Sequence, residues 1–293
     1  MKLKFALISL ISLSLTFTAC GQKPIKNSTE APPANTIQIE DENVTSGENS
    51  SENQPDEMDS EEVNKVIEED EPISELPIEL DYYMNGIYDI KPKNENINKN
   101  VVLLTFDDGP KEEEMLTKML DILDKHDAKA IFFVNGFRIE QNPELLQLIH
   151  NRDQIIGNHS WDHISLKNET SETINQQVGD VQNIVEELTG ERPLFFRPPH
   201  GQGAGNIHLT TKVKDEGMLY MTWSNGSEDW VKQYQYPEGV IQRVMEQLRA
   251  GSNILMHELP WTVEALDELL TKIEAEGYGF VDPRAIDVNY VPE

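Results

Sequence analysis

After an apolar run at the very start of the chain, apolar residues are sparse up to residue 100 and then fall into short dense runs separated by amphipathic stretches. The densest run, Val101 to Leu104, passes through Thr105-Phe106 into Asp107-Asp108-Gly109-Pro110. Its length and β-branching predict a strand buried on both faces, with Asp-Asp-Gly-Pro as the loop leaving its C-terminal end. Lys111 to His126 places Met115, Met119, Ile122 and Leu123 on one face of a helix. Ala130 to Val134 reads as a strand, Pro143 opens a helix over Glu144 to Asn151, and Gln154 to Gly157 is a short strand. Thr170 to Leu188 is an amphipathic helix with Gly190 as its C-cap, followed by a brief strand at Phe195-Phe196. Ile207 to Glu216 and Pro237 to Arg249 are helical, the second stopped near Gly251, with a strand at Met218 to Trp223 between them. Asn253 to Met256 is a buried strand, Val263 to Glu276 a helix and Tyr278 to Val281 a last strand. Strands alternating with helices imply a parallel sheet with crossovers. Six or seven such units in roughly 190 residues predict a small, distorted (β/α)7-type barrel.

The N-terminal third has a different character. Met1 to Cys20 carries Lys2 and Lys4, an apolar run from Phe5 to Phe17, and small residues before Cys20. The run is short for a membrane span and suits an export signal. Cys20 is the chain's single cysteine, so no intramolecular disulfide can form and the exported domain must rest on its core. Its position resembles the lipobox of bacterial lipoproteins, where such a Cys is acylated, although Phe17 stands where Leu is usual. Several acyl chains on that residue would anchor the chain stably to the outer face of the cell membrane. Gly21 to Asp81 holds no aromatic residue, and Gly21 to Asn100 carries 20 acidic against 6 basic residues, about half of the chain's net charge of −29. Such a stretch cannot bury enough apolar surface to offset its ordering entropy. Residues 21–85 are therefore expected to be a disordered acidic tether and residues 86–293 the folded domain, a monomer. So acidic a chain has nothing to offer a nucleic-acid backbone.

Chemistry gathers at the predicted strand ends. Two adjacent carboxylates at Asp107-Asp108 cannot cheaply both stay ionised beside an apolar floor. A cation, or a division of labour between metal ligand and base, resolves the conflict. Asn158-His159-Ser160-Trp161-Asp162-His163 follows another strand and spaces two imidazoles four residues apart. With Asp108 as third ligand they make a site with open positions, suited to Zn²⁺, with Co²⁺, Ni²⁺, Mn²⁺ and Fe²⁺ open as alternatives. Arg197-Pro-Pro-His200-Gly201 adds a fixed cation on a proline-held backbone. Asp229-Trp230 offers a carboxylate beside an aromatic, and Leu255-Met256-His257-Glu258 ends an apolar run in a histidine. His126, His150 and His208 lie near helix ends and read as surface residues.

Together these motifs resemble the polysaccharide deacetylases with a NodB-like domain, carbohydrate esterase family 4, over about Val101 to Pro283. The resemblance implies a (β/α)7-type barrel and metal-dependent removal of acetyl groups from N-acetylated sugars such as those of peptidoglycan or chitin. It implies Asp107 as catalytic base, Asp108, His159 and His163 as metal ligands, and Arg197 as the residue orienting Asp107. The His200 backbone N–H would help hold the oxyanion, Asp229 would partner the catalytic acid His257, and Trp230 would wall the sugar groove. Three departures accompany it: His200 where Tyr is frequent, Gly226 where a first Asp is frequent, and Glu258 where Asp is common. An O-acetyl polysaccharide esterase of the xylan type, using the same site, and a catalytically silent sugar-binding lipoprotein are the competing functions.

Overall fold

The computed structural model describes residues 78–291. The export segment, Cys20 and nearly all of the acidic tether lie outside these residues. The folded unit begins ahead of the boundary expected at residue 86. Strand β1 (Tyr82–Met84) pairs antiparallel with β2 (Ile90–Pro92), and the pair lies apart from the main sheet. β2 falls inside the expected domain; composition missed β1, because its acidic neighbours hide Tyr82, which packs against the inner core.

The main sheet contains β3 (Val101–Gly109), β4 (Ala130–Val134), β5 (Ile155–Asn158), β6 (Phe195–Phe196), β7 (Leu219–Tyr220), β8 (Asn225–Gly226) and β9 (Asn253–His257). They run in the order β7-β6-β5-β4-β3-β9-β8, every pair parallel, while β10 (Gly279–Phe280) pairs with the start of β3. The two edges, β7 and β8, are consecutive in the chain. Four residues, Met221 to Ser224, join them, and the five Cα steps of this link span at most about 18 Å even when extended. So short a link between edges forces the sheet to curl into the incomplete barrel that the strand–helix alternation predicts.

Helices cover the outside: α1 (Glu113–Lys125), α2 (Gly136–Gln141), α3 (Pro143–Asn151), α4 (Ser171–Ile174), α5 (Asp180–Thr189), α6 (Ile207–Asp215), α7 (Pro237–Glu246) and α8 (Pro260–Ala275). The buried face of α1 is Leu116, Met119, Leu120 and Leu123, so the face read from the sequence is rotated: Met115 and Ile122 lie at its margin. Gly190 caps α5 in the left-handed conformation at φ 80°.

Strand pleating places the site. Along β3, Val102, Leu104 and Phe106 pack outward under the helices, while Val101 and Leu103 point into the barrel with Ile131, Phe133, Phe195 and Met221. Side chains alternate along a strand, so the next inward positions after Leu103 are Thr105 and Asp107. On β9, Ile254 and Met256 face the helices, leaving Asn253, Leu255 and His257 inward. The barrel is thus apolar at the N-terminal ends of its strands and polar at their C-terminal ends. Below, Ile90 of β2 closes the barrel floor, its N–H donating to the Gly251 carbonyl at 2.8 Å. Gly251 is at φ 87°, and a Cβ there would stand 2.2 Å from the Ile90 carbonyl oxygen, so only glycine fits.

Candidate active site

A cleft of about 420 Å³ opens at the C-terminal ends of the strands, lined by Asp107, Asp108, His159, His163, His257 and Trp230 among others. Register puts Asp107 of β3 opposite His257 of β9, and Val134 of β4 opposite Asn158 of β5, from which the histidine loop departs. Four residues at this rim, Asp108, Ser160, His163 and His200, hold positive φ between 55° and 68°. Non-glycine residues in this region carry strain that surrounding structure must hold, a common feature of functional sites.

Asp108 Oδ1 lies 3.1 Å from His163 Nε2 and 3.4 Å from His159 Nε2, and ligand atoms from all three residues fall within 4.8 Å of one another. His159 Nδ1 lies 2.7 Å from the Arg197 carbonyl oxygen, which fixes that nitrogen as the donor and leaves Nε2 as a lone pair. Asp108 Oδ1 is buried yet makes no hydrogen bond. Converging lone pairs around a buried carboxylate oxygen are mutually repulsive without a cation between them. One carboxylate and two imidazoles therefore fit a divalent ion of the zinc type.

Asp107 is almost fully buried and accepts from Arg197 Nη1 at 2.7 Å through Oδ1. Its Oδ2 points toward the histidines, 3.6 Å from His159 Nε2. Arg197 is wholly buried. It donates further to Thr105 Oγ1 at 2.8 Å, to the Thr222 carbonyl at 2.8 Å and to Asn253 Oδ1 at 3.2 Å, and its guanidinium lies over the Phe133 ring at 4.3 Å. Burial lowers the Arg197 pKa, with the Asp107 charge opposing it. A buried cation needs such partners, and the inward positions of β3 and β9 with the Thr222 carbonyl supply them to both Nη atoms, while Nε has none.

On the other side, Asp229 Oδ1 lies 2.7 Å from His257 Nδ1. Asp229 Oδ2 accepts from the His257 backbone N–H at 2.7 Å and from Thr262 Oγ1 at 2.8 Å. His257 Nε2 is thereby turned to the cleft, 4.0 Å from Asp108 Oδ2. Burial alone would lower the His257 pKa, but the Asp229 hydrogen bond and charge raise it overall. Trp230, 44% exposed, meets His257 edge to face at 5.2 Å, and Trp223 meets Trp230 likewise at 6.3 Å. His200 is exposed at the mouth, its ring 4.7 Å from that of His163. Burial and the charge of His163 lower its pKa.

Seven of the nine candidate residues of the domain line this cleft, and Arg197 and Asp229 lie buried behind it, bonded to Asp107 and His257. Sequence reasoning missed their supports: Thr105, Asn253, Thr262 and the Trp261 indole, which donates to the Asp229 carbonyl at 2.8 Å. It also missed Asn135, whose Nδ2 donates to the His159 carbonyl at 2.8 Å. Glu258 is a backbone clamp. It accepts from the Lys111 and Glu112 N–H groups at 2.9–3.1 Å, tying the loop after β3 to the end of β9. Trp161 packs under the histidine loop, where a Cβ on Gly136 would come within 2.2 Å of its ring. His126 is not a surface residue. Its side chain is 6% exposed and bridges Asp267 and Glu274 of α8, because that helix covers the end of α1.

The family model for polysaccharide deacetylase matches residues 94–221. PdaC of Bacillus subtilis, a peptidoglycan-N-acetylmuramic acid deacetylase, is 35% identical over 208 residues, covering 67% of this chain and 43% of PdaC. The chain therefore spans well under half the length of that relative. A peptidoglycan-N-acetylglucosamine deacetylase of Bacillus cereus is 30% identical over 188 residues, 63% of this chain and 86% of the relative. Among solved structures, BA3943 of Bacillus anthracis, a CE4 family pseudoenzyme, superposes with a TM-score of 0.59 at 32% identity over 64% of each chain. With its strand-end motifs, parallel half-barrel and match to most of the Bacillus cereus protein, the chain belongs to the polysaccharide deacetylase family, carbohydrate esterase family 4.

Proposed function

We propose that the chain is a metal-dependent hydrolase that removes N-acetyl groups from the amino sugars of a cell-wall polysaccharide, peptidoglycan or a chitin-like glycan. The family includes a pseudoenzyme, so membership alone does not carry activity. The observation that does is the Asp108–His159–His163 donor set flanked by two buried dyads, Asp107–Arg197 and His257–Asp229. An amide is a poor electrophile with a poor leaving group, and its hydrolysis needs a base, an acid and charge stabilisation together.

Asp108, His159 and His163 would hold a divalent ion, Zn²⁺ before Co²⁺, Ni²⁺, Mn²⁺ or Fe²⁺, which polarises the acetyl carbonyl and makes water a nucleophile near neutral pH. Asp107 would take the proton from the attacking water at Oδ2, the oxygen that Arg197 leaves free. His257 delivers a proton from Nε2 to the departing amine while Asp229 holds its Nδ1. The His200 backbone N–H stabilises the oxyanion, and Trp230 stacks on the sugar. The His200 side chain, replacing the family's usual Tyr, changes sugar preference and leaves the backbone role intact.

The test is mass spectrometry of defined acetylated oligosaccharides after incubation with the metal-loaded protein. Acetyl loss from chito- or peptidoglycan-derived oligomers supports the reading. Loss only from O-acetylated xylo-oligomers makes the protein an esterase, and binding without any loss makes it a silent sugar-binding protein. Purified protein should hold one divalent ion per chain, removed by a chelator and missing from His159→Ala. Equal metal in both would end the ligand assignment.

Upstream of the domain, the export segment, the acylated Cys20 and the acidic tether of residues 21–85 would hold the monomeric enzyme on the outer face of the bacterial membrane with reach into the wall. Cys20→Ser should shift the protein from the membrane fraction to the soluble one. Unchanged fractionation would point to an uncleaved signal helix instead.

A further inference from the structure

The helix read as continuous over Thr170 to Leu188 is interrupted. A π turn, Asn175–Gly179, separates α4 from α5. Such a turn breaks the regular helical ladder and recurs at functional sites. This one faces the loop that carries His159 and His163. Gln177, at its middle and 6% exposed, accepts the Asp162 backbone N–H at 2.9 Å through Oε1 and donates to Asp162 Oδ2 at 2.7 Å through Nε2. One residue on, the Val178 carbonyl accepts from Asn158 Nδ2 at 2.9 Å, and Asn158 Oδ1 accepts the Ser160 N–H at 3.0 Å. Asn158 and Asp162 are the residues immediately before His159 and His163. The π turn therefore grips the loop just ahead of each histidine. Between the grips the loop holds Ser160 at φ 68° and ends on His163 at φ 55°, conformations that relax unless they are held.

We propose that Gln177 is a positioning residue, setting the His163 ring for the metal through its two-bond clasp on Asp162. The inference rests on the metal reading above. A primary amide presents one acceptor and a donor in a plane, which matches the backbone N–H and side-chain carboxylate of one residue. A carboxylate in its place would lack the donor and stand against Asp162. A group that merely filled space here could be replaced by an apolar side chain of similar volume.

The experiment measures zinc affinity by competition with a chromophoric chelator, with the Tm of the zinc-free protein recorded alongside, for Gln177→Leu, Gln177→Glu and the double variant Q177E/D162N. Both single variants should bind zinc about 10- to 100-fold more weakly, the usual loss for a group that orients a metal-ligating histidine. The double variant exchanges donor and acceptor across the clasp. It restores both hydrogen bonds and should recover most of the affinity. Singles that bind zinc as tightly as the wild type, whatever their Tm, would overturn the clasp, as would a double variant no better than Q177E. Wild type binding no more zinc than His159→Ala would instead remove the metal reading on which the clasp depends.

Discussion

Asp107→Asn is expected to keep its metal and lose about 10²- to 10⁴-fold in turnover, the usual contribution of a general base. Asp108→Asn is expected to lose the metal itself. The two residues are neighbours, yet pleating separates their work. Asp107 points into the barrel, where Arg197 engages Oδ1 at 2.7 Å and leaves Oδ2 toward the cleft. Asp108, at φ 68°, turns out of the strand so that its Oδ1 meets both imidazoles. Asparagine at 107 can still accept from Arg197 but cannot take a proton from water. Asparagine at 108 removes the only anionic member of the donor set, and with it most of the attraction for a divalent ion. Metal content and turnover on a chito-oligosaccharide, measured on both variants, decide the matter. Retention of metal in Asp108→Asn together with its loss in Asp107→Asn would reverse the two assignments.

How much of this could be read from the chain depends on how local each signal is. β4 was legible to the residue because five apolar positions stand between polar flanks. The pairing of His159 with His163 was legible because their spacing lies within one loop. The cradle of Arg197 was not, because Thr105 and Asn253 lie 92 and 56 residues away and meet it only through the curl of the sheet. β3 is buried on both faces, so its apolar run shows no alternation and hides that Thr105 and Asp107 share a face. β8 contains only Asn225 and Gly226, and α2 only six residues, each too short to set a period. The π turn left no trace in the amphipathic pattern, since polar residues fill that stretch whether or not the helix widens. His126 was misread for a related reason: a position at a helix end says nothing about which other helix covers it.

His257→Ala should also keep the metal while losing about 10²- to 10⁴-fold on an N-acetyl substrate, the usual contribution of a general acid. Its loss on an activated aryl acetate should be much smaller. An amine must be protonated as it leaves, whereas an aryl oxide leaves unaided, so the contrast isolates the role of acid. The pH dependence gives a second handle. Burial would lower the His257 pKa, but the hydrogen bond and charge of Asp229 raise it above the ordinary imidazole value. An acid works only while protonated, so the raised value keeps activity up to a higher pH and places its loss on the alkaline side. Asp229→Asn removes the raising charge and leaves the burial in place. Its alkaline limb must therefore move to lower pH, with metal content unchanged. An equal loss on both substrates in His257→Ala, or an alkaline limb that stays in place in Asp229→Asn, would show that the dyad holds the shape of the cleft and does not deliver the proton.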